Sequence, residues 1–343
     1  MVQSLPVLRL LKLHLPQSEI FWWLESSLVP LLAEDPDLAG IYPFHRKRWG
    51  APYNWPEIWT SVRKIRAQRF DWAIDLQGLA RSGLFTWWAN ADLSIGLDGK
   101  REGARGFYDV LAPALTGGNH AVDRYLSVLP TLGVPVHQQF KWLPERPILA
   151  AQVREKWKTD FARWVVLLPG ARWDNKRWPL ENFTDLTRRI LSVSSDVNIA
   201  ILGSKDDQVL GNVIAAVNPH RCLDLTGETS LPEMVEWLRL CELVITNDTG
   251  PMHVAAALQR PTVAIFGPTN PGATGPHGQR QNVLQVSNLP CVPCLKGHCS
   301  YKEPLACLHG ITPTMVFEKA RNVLKGSVLA QARQYPNSAL IGN

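Results

Sequence analysis

The sequence predicts an α/β protein built from two doubly wound domains, and three observations carry that prediction. Short apolar, β-branched runs alternate with helical stretches along most of the chain, the pattern of parallel strands joined by crossover helices. The 343 residues are long for one core and suit two domains. Residues 134–150 are rich in proline and read as connective, dividing the alternation into two series. We therefore place domains at 1–150 and 151–312, with a last helix and polar tail at 313–343, and expect a cleft with ligands at the carboxyl ends of both sheets.

Composition narrows the class. With 45% hydrophobic and 19% charged residues the chain is globular rather than disordered, and its net charge of +6 favours anionic partners. Nine of the fourteen tryptophans precede residue 150. No apolar run has the length of a membrane span. The opening MVQSLPVLRLLKLHLP is interrupted by Arg9, Lys12 and His14 and lacks a small-residue cleavage site. It reads as an amphipathic helix with Ser4 as N-cap and Leu5, Leu8 and Leu11 on one face, so the expected location is the cytoplasm, with possible contact to the inner membrane face.

In chain order, the first series has strands at 19–24, 40–43, 71–76 and 93–97, with helices at 28–32, 56–68, 81–88 and 120–132. The second has strands at 164–168, 197–202, 221–225, 243–246, 262–266 and 282–285. Its helices fall at 180–191, 206–217, 232–240 and 314–324. A doubly wound domain should open on its central strand, yet the first series opens on a helix.

The stretch around which the second series is organised is VITNDTGPMHVAAALQRPTVAIFGPTNP, residues 244–271. Its strand ends in Asn247-Asp248-Thr249-Gly250, residues suited to a tight turn and helix cap, with Pro251 in the first helical turn and His253 just beyond. Free amides at such a helix start can receive phosphate. The earlier loop LPGARWDNKRWP, 168–179, carries Arg172, Lys176 and Arg177, three cations that suit a diphosphate, and Lys176 could neutralise a leaving group. A solvated basic loop would have the same composition. Gly203-Ser204-Lys205-Asp206-Asp207 and Thr226-Gly227-Glu228-Thr229-Ser230 end two more strands and have helix-capping character, which suffices to explain them, with nucleoside contact as the further reading.

In the first series, Asp75-Leu76-Gln77-Gly78 ends a strand. His45, Arg46, Lys47, Arg48 and Trp49, with Arg63, Lys64 and Arg66, form a basic-aromatic set that suits either an exposed loop or an anionic, amphipathic acceptor. Gly-x-Gly-x-x-Gly and the P-loop pattern are both absent, and no helix-turn-helix, RRM or OB signature accompanies the charge, so dinucleotide, P-loop and nucleic-acid functions lose their support. Cys222 and Cys241 read as reduced core residues. Cys291, Cys294, Cys299 and Cys307 are spaced irregularly for a zinc ribbon; free thiols and a structural zinc both remain open, and a catalytic metal is not expected.

Together these residues resemble glycosyltransferase family 9, the bacterial lipopolysaccharide heptosyltransferases. The matching motifs are LPGARWDNKRWP, the turn at Gly203, DLTGETSL at 224–231 and NDTGPMHVAAAL at 247–258, with DWAIDLQGLARSGL at 71–84, HAVDRYL at 120–126 and SLPVLRLLK at 4–12. The resemblance implies a GT-B fold, two Rossmann-like domains with the C-terminal helix returning to the first. It implies a metal-independent, inverting glycosyltransferase without cofactor, moving a heptose from ADP-heptose to a hydroxyl of the lipopolysaccharide inner core. By position, Lys176 would contact the donor diphosphate, and Asp248, Thr249, Gly250 and His253 the diphosphate and sugar. Arg172, Lys205 and Thr229 occupy further nucleotide positions. The partner on the other side would be an anionic lipid-linked oligosaccharide, met through Arg46, Arg48, Arg63 and Arg66 at the inner membrane face.

One departure accompanies the resemblance. The family pattern opens with a strand and a Gly-Asp loop before the SLPVLRLLK-like helix, and that aspartate is its proposed general base. Here both would precede Met1, so the first domain is expected to lack its first strand. A start placed too far downstream accounts for this better than a degenerate chain, because the following helix keeps its full pattern. Two other readings remain at this stage: a GT-B nucleotide-sugar enzyme of the epimerase kind, which would act without acceptor, and a non-catalytic nucleotide-sugar binder.

Overall fold

Val, Ile and Leu runs become strands where the sequence predicts them, and the way those strands pair separates two units, Met1–Pro144 and Glu145–Asn343. The computed structural model describes residues 1–46, 48–50, 54–98, 102–113 and 118–334. The units divide six residues earlier than predicted. Pro147–Trp157 is a helix, not a connection, and it packs on the second unit through Trp157 against Trp237, ring centroids 5.8 Å apart.

In the first unit, α1 (Leu5–His14) is followed by β1 (Phe21–Glu25) and β2 (Gly40–Phe44), a parallel pair. Next come α2 (Trp55–Ala67), β3 (Trp72–Asp75), α3 (Ala80–Ala89), β4 (Leu93–Leu97) and β5 (Val110–Ala112), the three strands forming a second parallel sheet. A doubly wound sheet is continuous when a central strand joins its halves; among the described residues no strand joins β1 to β3. Aromatic rings link the two pieces instead, with Phe21 5.5 Å from Phe70 and Trp23 4.3 Å edge-to-face from Phe85. The helix predicted over 120–132 is interrupted at Ser127, giving Ala121–Leu126 and Val128–Thr131.

α1 corrects two expectations. Its residues from Leu5 to Leu11 are all buried, so it is enclosed rather than amphipathic. Arg9 tolerates this because Nη1 and Nη2 donate to Asp35 at 2.6 and 2.5 Å, Nη1 donates to Asp37 at 2.6 Å, and Nε donates to the Trp142 carbonyl at 3.0 Å. A buried cation is stable only when paired and hydrogen-bonded this fully. Ser4 does occupy the N-cap, but its hydroxyl donates backwards to the Met1 carbonyl at 2.6 Å instead of capping the helix.

The second unit follows α4 (Pro147–Trp157) with β6 (Arg163–Leu168), α5 (Leu180–Val193), β7 (Val197–Ile201), α6 (Gln208–Ala215), β8 (Cys222–Asp224) and α7 (Leu231–Leu240). Then come β9 (Leu243–Asn247), α8 (Gly250–Ala257), β10 (Thr262–Phe266), β11 (Val283–Gln285) and α9 (Pro313–Gln334). The strands make one parallel six-stranded sheet in the order β11-β10-β9-β6-β7-β8. β9 and β10 are buried at every position, as expected of strands covered on both faces. Trp178 and Phe183 of the α5 region, Leu308, Ile311, and Val316 and Ala320 of α9 fill one face with Ile199, Ile245 and Ile265. Of the segment 313–343, expected to return to the first domain, the described side chains of α9 pack on the second unit's own core, and those from 326 onward lie outside the described residues. Cys222 and Cys241 are free and buried, as predicted.

Candidate active site

Because every strand of the second sheet runs the same way, the loops after their carboxyl ends share one edge. The chain leaves β6 towards β7 and β8, then returns to β9 on the other side and continues to β10 and β11. That reversal between β6 and β9 is a topological switch point, where open α/β sheets leave a crevice for ligands. The register pairs Leu168 with Thr246, so the LPGARWDNKRWP loop and the Asn247–Gly250 turn start side by side.

The two predicted loops meet there. Lys176 Nζ donates to Asp248 Oδ2 at 2.6 Å, with the side chains only 17% and 7% exposed. The Thr269 hydroxyl, arriving from the end of β10, donates to the same oxygen at 2.7 Å. Lys176 Nζ also lies 4.7 Å from the centroid of the Trp173 ring, a cation–π contact. A charge held this far out of water acts on an incoming anion through a low local dielectric. Beside it α8 opens at an exposed Gly250 with Thr249 as N-cap and Pro251 in its first turn, which gives an amide-lined helix start pointed at the same crevice end. His253, half-buried, closes that first turn.

Asn247 holds the Lys176 loop in place, a role the sequence reading missed. Its side chain is fully buried; Nδ2 donates to the Pro169 carbonyl at 2.7 Å and Oδ1 accepts the Trp178 amide at 3.1 Å. The loop is thus clamped at both ends by one amide. The signal was present as an amide side chain closing a buried, β-branched strand. Thr269 left no such signal, since only the packing of β10 beside β9 brings it to Asp248.

The other predicted contacts divide. Arg177 is committed to structure: it donates to the Ala171 carbonyl at 3.1 Å and pairs with Asp174 at 3.3 Å and Asp207 at 3.8 Å. Arg172 and Lys205 are exposed and Thr229 half-buried. The loops bearing Lys205 and Thr229 adjoin, since Gly227 N donates to the Gly203 carbonyl at 3.0 Å. Gly227 has φ +79°, and a Cβ there would stand 3.1 Å from the Lys205 Cα, so the close approach requires glycine.

In the first unit Asp75 is buried and used. Oδ1 accepts the Gln77 and Gly78 amides at 2.7 and 3.2 Å, and Oδ2 accepts the Tyr108 hydroxyl at 2.6 Å. Burial, reinforced by that carboxylate, pushes the Tyr108 phenol well above its ordinary range. Arg46, Arg63 and Arg66 are exposed, and Arg48 pairs with Glu57 at the start of α2. Lys47 lies outside the described residues.

Cys291, Cys294, Cys299 and Cys307 line one small cavity together with Asn175, Pro268 and Tyr301. All four are free thiols, and burial pushes Cys307 up, with its three neighbours adding to the effect. Among the described residues no three His, Cys, Asp or Glu side chains are arranged to hold a metal. The segment braces the Lys176 loop: Asn175 Nδ2 donates to the Lys296 carbonyl at 2.9 Å, and Leu295 N to the Pro268 carbonyl at 2.8 Å.

Solved structures similar to this chain place the fold. It matches an Escherichia coli ADP-heptose lipopolysaccharide heptosyltransferase II with TM-score 0.76 and 23% identity, covering 96% of each chain. A glycosyltransferase family 9 protein from Veillonella parvula matches with TM-score 0.79 and 22% identity, covering 95% of this chain and 94% of that one. The fold is thus that of a GT-B glycosyltransferase. Among sequences, the lipopolysaccharide heptosyltransferase 1 of Pseudomonas aeruginosa is 29% identical, covering 88% of this chain and 84% of its own. The lipopolysaccharide heptosyltransferase 2 of Salmonella typhimurium is 29% identical, covering 83% and 84%. The family model for glycosyltransferase family 9 (heptosyltransferase) matches residues 58–304, and the chain belongs to that family.

Proposed function

We propose that the protein transfers a heptose from ADP-heptose to a hydroxyl of the lipopolysaccharide inner core, with inversion at the sugar carbon. The observation that carries this reading is the Lys176–Asp248 pair at the switch point of the second sheet, 2.6 Å apart and largely shielded from water. A departing nucleoside diphosphate develops negative charge as the glycosidic bond breaks. Lys176 has donors beyond the one given to Asp248, and the α8 start supplies amides; both are in place before the reaction and need no reorganisation. Asp248, fixed by Thr269, holds the ammonium in position and leaves its second oxygen for a donor hydroxyl. Thr249, Gly250 and His253 complete that side, with Arg172, Lys205 and Thr229 towards the nucleoside.

The acceptor is an anionic lipid-linked oligosaccharide, and Arg46, Arg48, Arg63 and Arg66 of the first unit give it basic groups to meet. No helix among the described residues is long and apolar enough to cross a membrane. The enzyme works in the cytoplasm, peripheral to the inner membrane, and needs no metal.

Lys176→Ala tests the donor half directly. Affinity for ADP, read by titration calorimetry, should fall about tenfold or more, and transfer from ADP-heptose to truncated core lipid about 10²–10³-fold. Full turnover in that variant removes the role assigned to Lys176. Consumption of ADP-heptose without acceptor would favour an epimerase-like enzyme, and tight donor binding without any turnover a binding protein.

A further inference from the structure

α2 buries Val62 and Ile65 and half-buries Ile58. On the flank of the helix beside that buried stripe, Trp55, Trp59, Arg63 and Arg66 follow at i, i+4, i+8 and i+11, so they form one continuous exposed row. Trp55 is 63% exposed and Trp59 58%. The row extends onto α3: Trp59 stacks on Trp88 with centroids 5.9 Å apart, and Arg66 Nη1 donates to the Trp88 carbonyl at 3.4 Å. Trp87, next along α3, is 59% exposed. Three tryptophans left in water on two touching helices are unusual, since such rings repay burial more than any other side chain. The charges around them are mainly basic. Residues 55–71 carry Arg63, Lys64, Arg66 and Arg69 against Glu57 and Asp71, and Glu57 is engaged by Arg48. The only charged residue in α3 is Arg81.

We propose that this face, Trp55, Trp59 and Trp87 with Arg63 and Arg66, is the surface on which the protein docks to an anionic phospholipid bilayer. Indole rings settle at the level of the headgroups, where one edge meets hydrocarbon and the N–H meets water, and the guanidinium groups lie along the negative surface. Each contribution is modest, so the association is reversible and salt-sensitive. The inference rests on the transferase reading only in that a lipid-linked acceptor places the enzyme at a membrane; the surface is argued from exposure and charge.

The test is sedimentation with acceptor-free vesicles of phosphatidylcholine, with and without about 30% phosphatidylglycerol, the negative component. The wild-type chain should partition onto the anionic vesicles and be released by raised salt. Arg63→Glu with Arg66→Glu should weaken partitioning about tenfold or more, each charge near the surface counting. Trp55→Ser and Trp87→Ser should each weaken it several-fold while leaving thermal unfolding and transfer to a deacylated, soluble acceptor unchanged; Trp87 serves if Trp55→Ser disturbs the α2 start. Absence of wild-type partitioning, or variants that partition like wild type, overturns the proposal, as does self-association through this face without vesicle binding. Vesicle binding by a protein that transfers no sugar would sink the transferase reading and leave the surface standing. Transfer to soluble acceptor without vesicle binding would do the reverse.

Discussion

The two units begin from the same local grammar and end differently. Both alternate short apolar strands with helices. In the second unit β6 lies between β7 and β9, a continuous sheet forms around it, and the switch point beside it gathers Lys176, Asp248, Asn247 and Thr269. In the first unit β1 and β3 belong to separate sheets joined by aromatic packing, and the buried network of Arg9 with Asp35 and Asp37 holds α1 rather than a site. The difference teaches that a central strand from which the chain winds out in both directions does two jobs at once. It makes the sheet continuous, and the reversal beside it leaves the crevice where loops from non-adjacent parts of the chain converge; β4, paired on both sides without such a reversal, does only the first.

The sharpest way to break this comparison is to remove the ion network of the first unit. Arg9→Ala leaves Asp35, whose side chain is fully buried, without its cation. The expected loss is about 3–5 kcal/mol, the cost of an uncompensated buried charge. Denaturant unfolding followed by tryptophan fluorescence should show an early transition, while the ADP binding proposed for the second unit should survive titration. If the variant unfolds with wild-type midpoint, the triad is not what holds α1.

Asn247→Ala probes the other side. It orphans the Pro169 carbonyl and the Trp178 amide, and each buried unpaired group costs about 1–3 kcal/mol. Since those groups bracket the Lys176 loop, ADP affinity should fall along with stability. A variant that loses stability and keeps ADP affinity would show that Lys176 is positioned by Asp248 alone.

The smallest effect separates the cysteines. Burial pushes the Cys241 thiol up to about 12, and it is fully enclosed, whereas Cys299 is exposed. The thiolate is the reactive form. In the native protein iodoacetamide should therefore modify Cys299 first and leave Cys241 untouched until unfolding, as read by peptide mass spectrometry. Early labelling of Cys241 would mean that the end of α7, which Cys241 caps, opens more readily than its burial allows.

Much of the second unit was legible in the sequence. Buried parallel strands are continuous β-branched runs, so β9 and β10 announced themselves. The Asn-Asp-Thr-Gly-Pro turn and the cations after β6 are local chemistry, and the structure brings Lys176 and Asp248 into direct contact. Less was legible elsewhere. β5, Val110–Ala112, is three residues long, too short for its own periodicity, and becomes a strand only by pairing with β4. The helix at Pro147 was hidden by that proline and by Pro135 and Pro144 before it, although a proline in the first turn costs nothing.

The sequence by itself determined the family and most of the alternation of strands and helices, and it singled out the loops after β6 and β9, because propensity, capping and hydrophobic period are properties of neighbours along the chain. Only the tertiary structure decided that Arg177 is spent on Asp174 and Asp207 while Lys176 faces the crevice, that Asn247 clamps the loop, and that Thr269 completes the site. It also decided that Arg9 is interior. Those outcomes depend on which strands lie side by side and which charges are removed from water together, and residues far apart in sequence settle both.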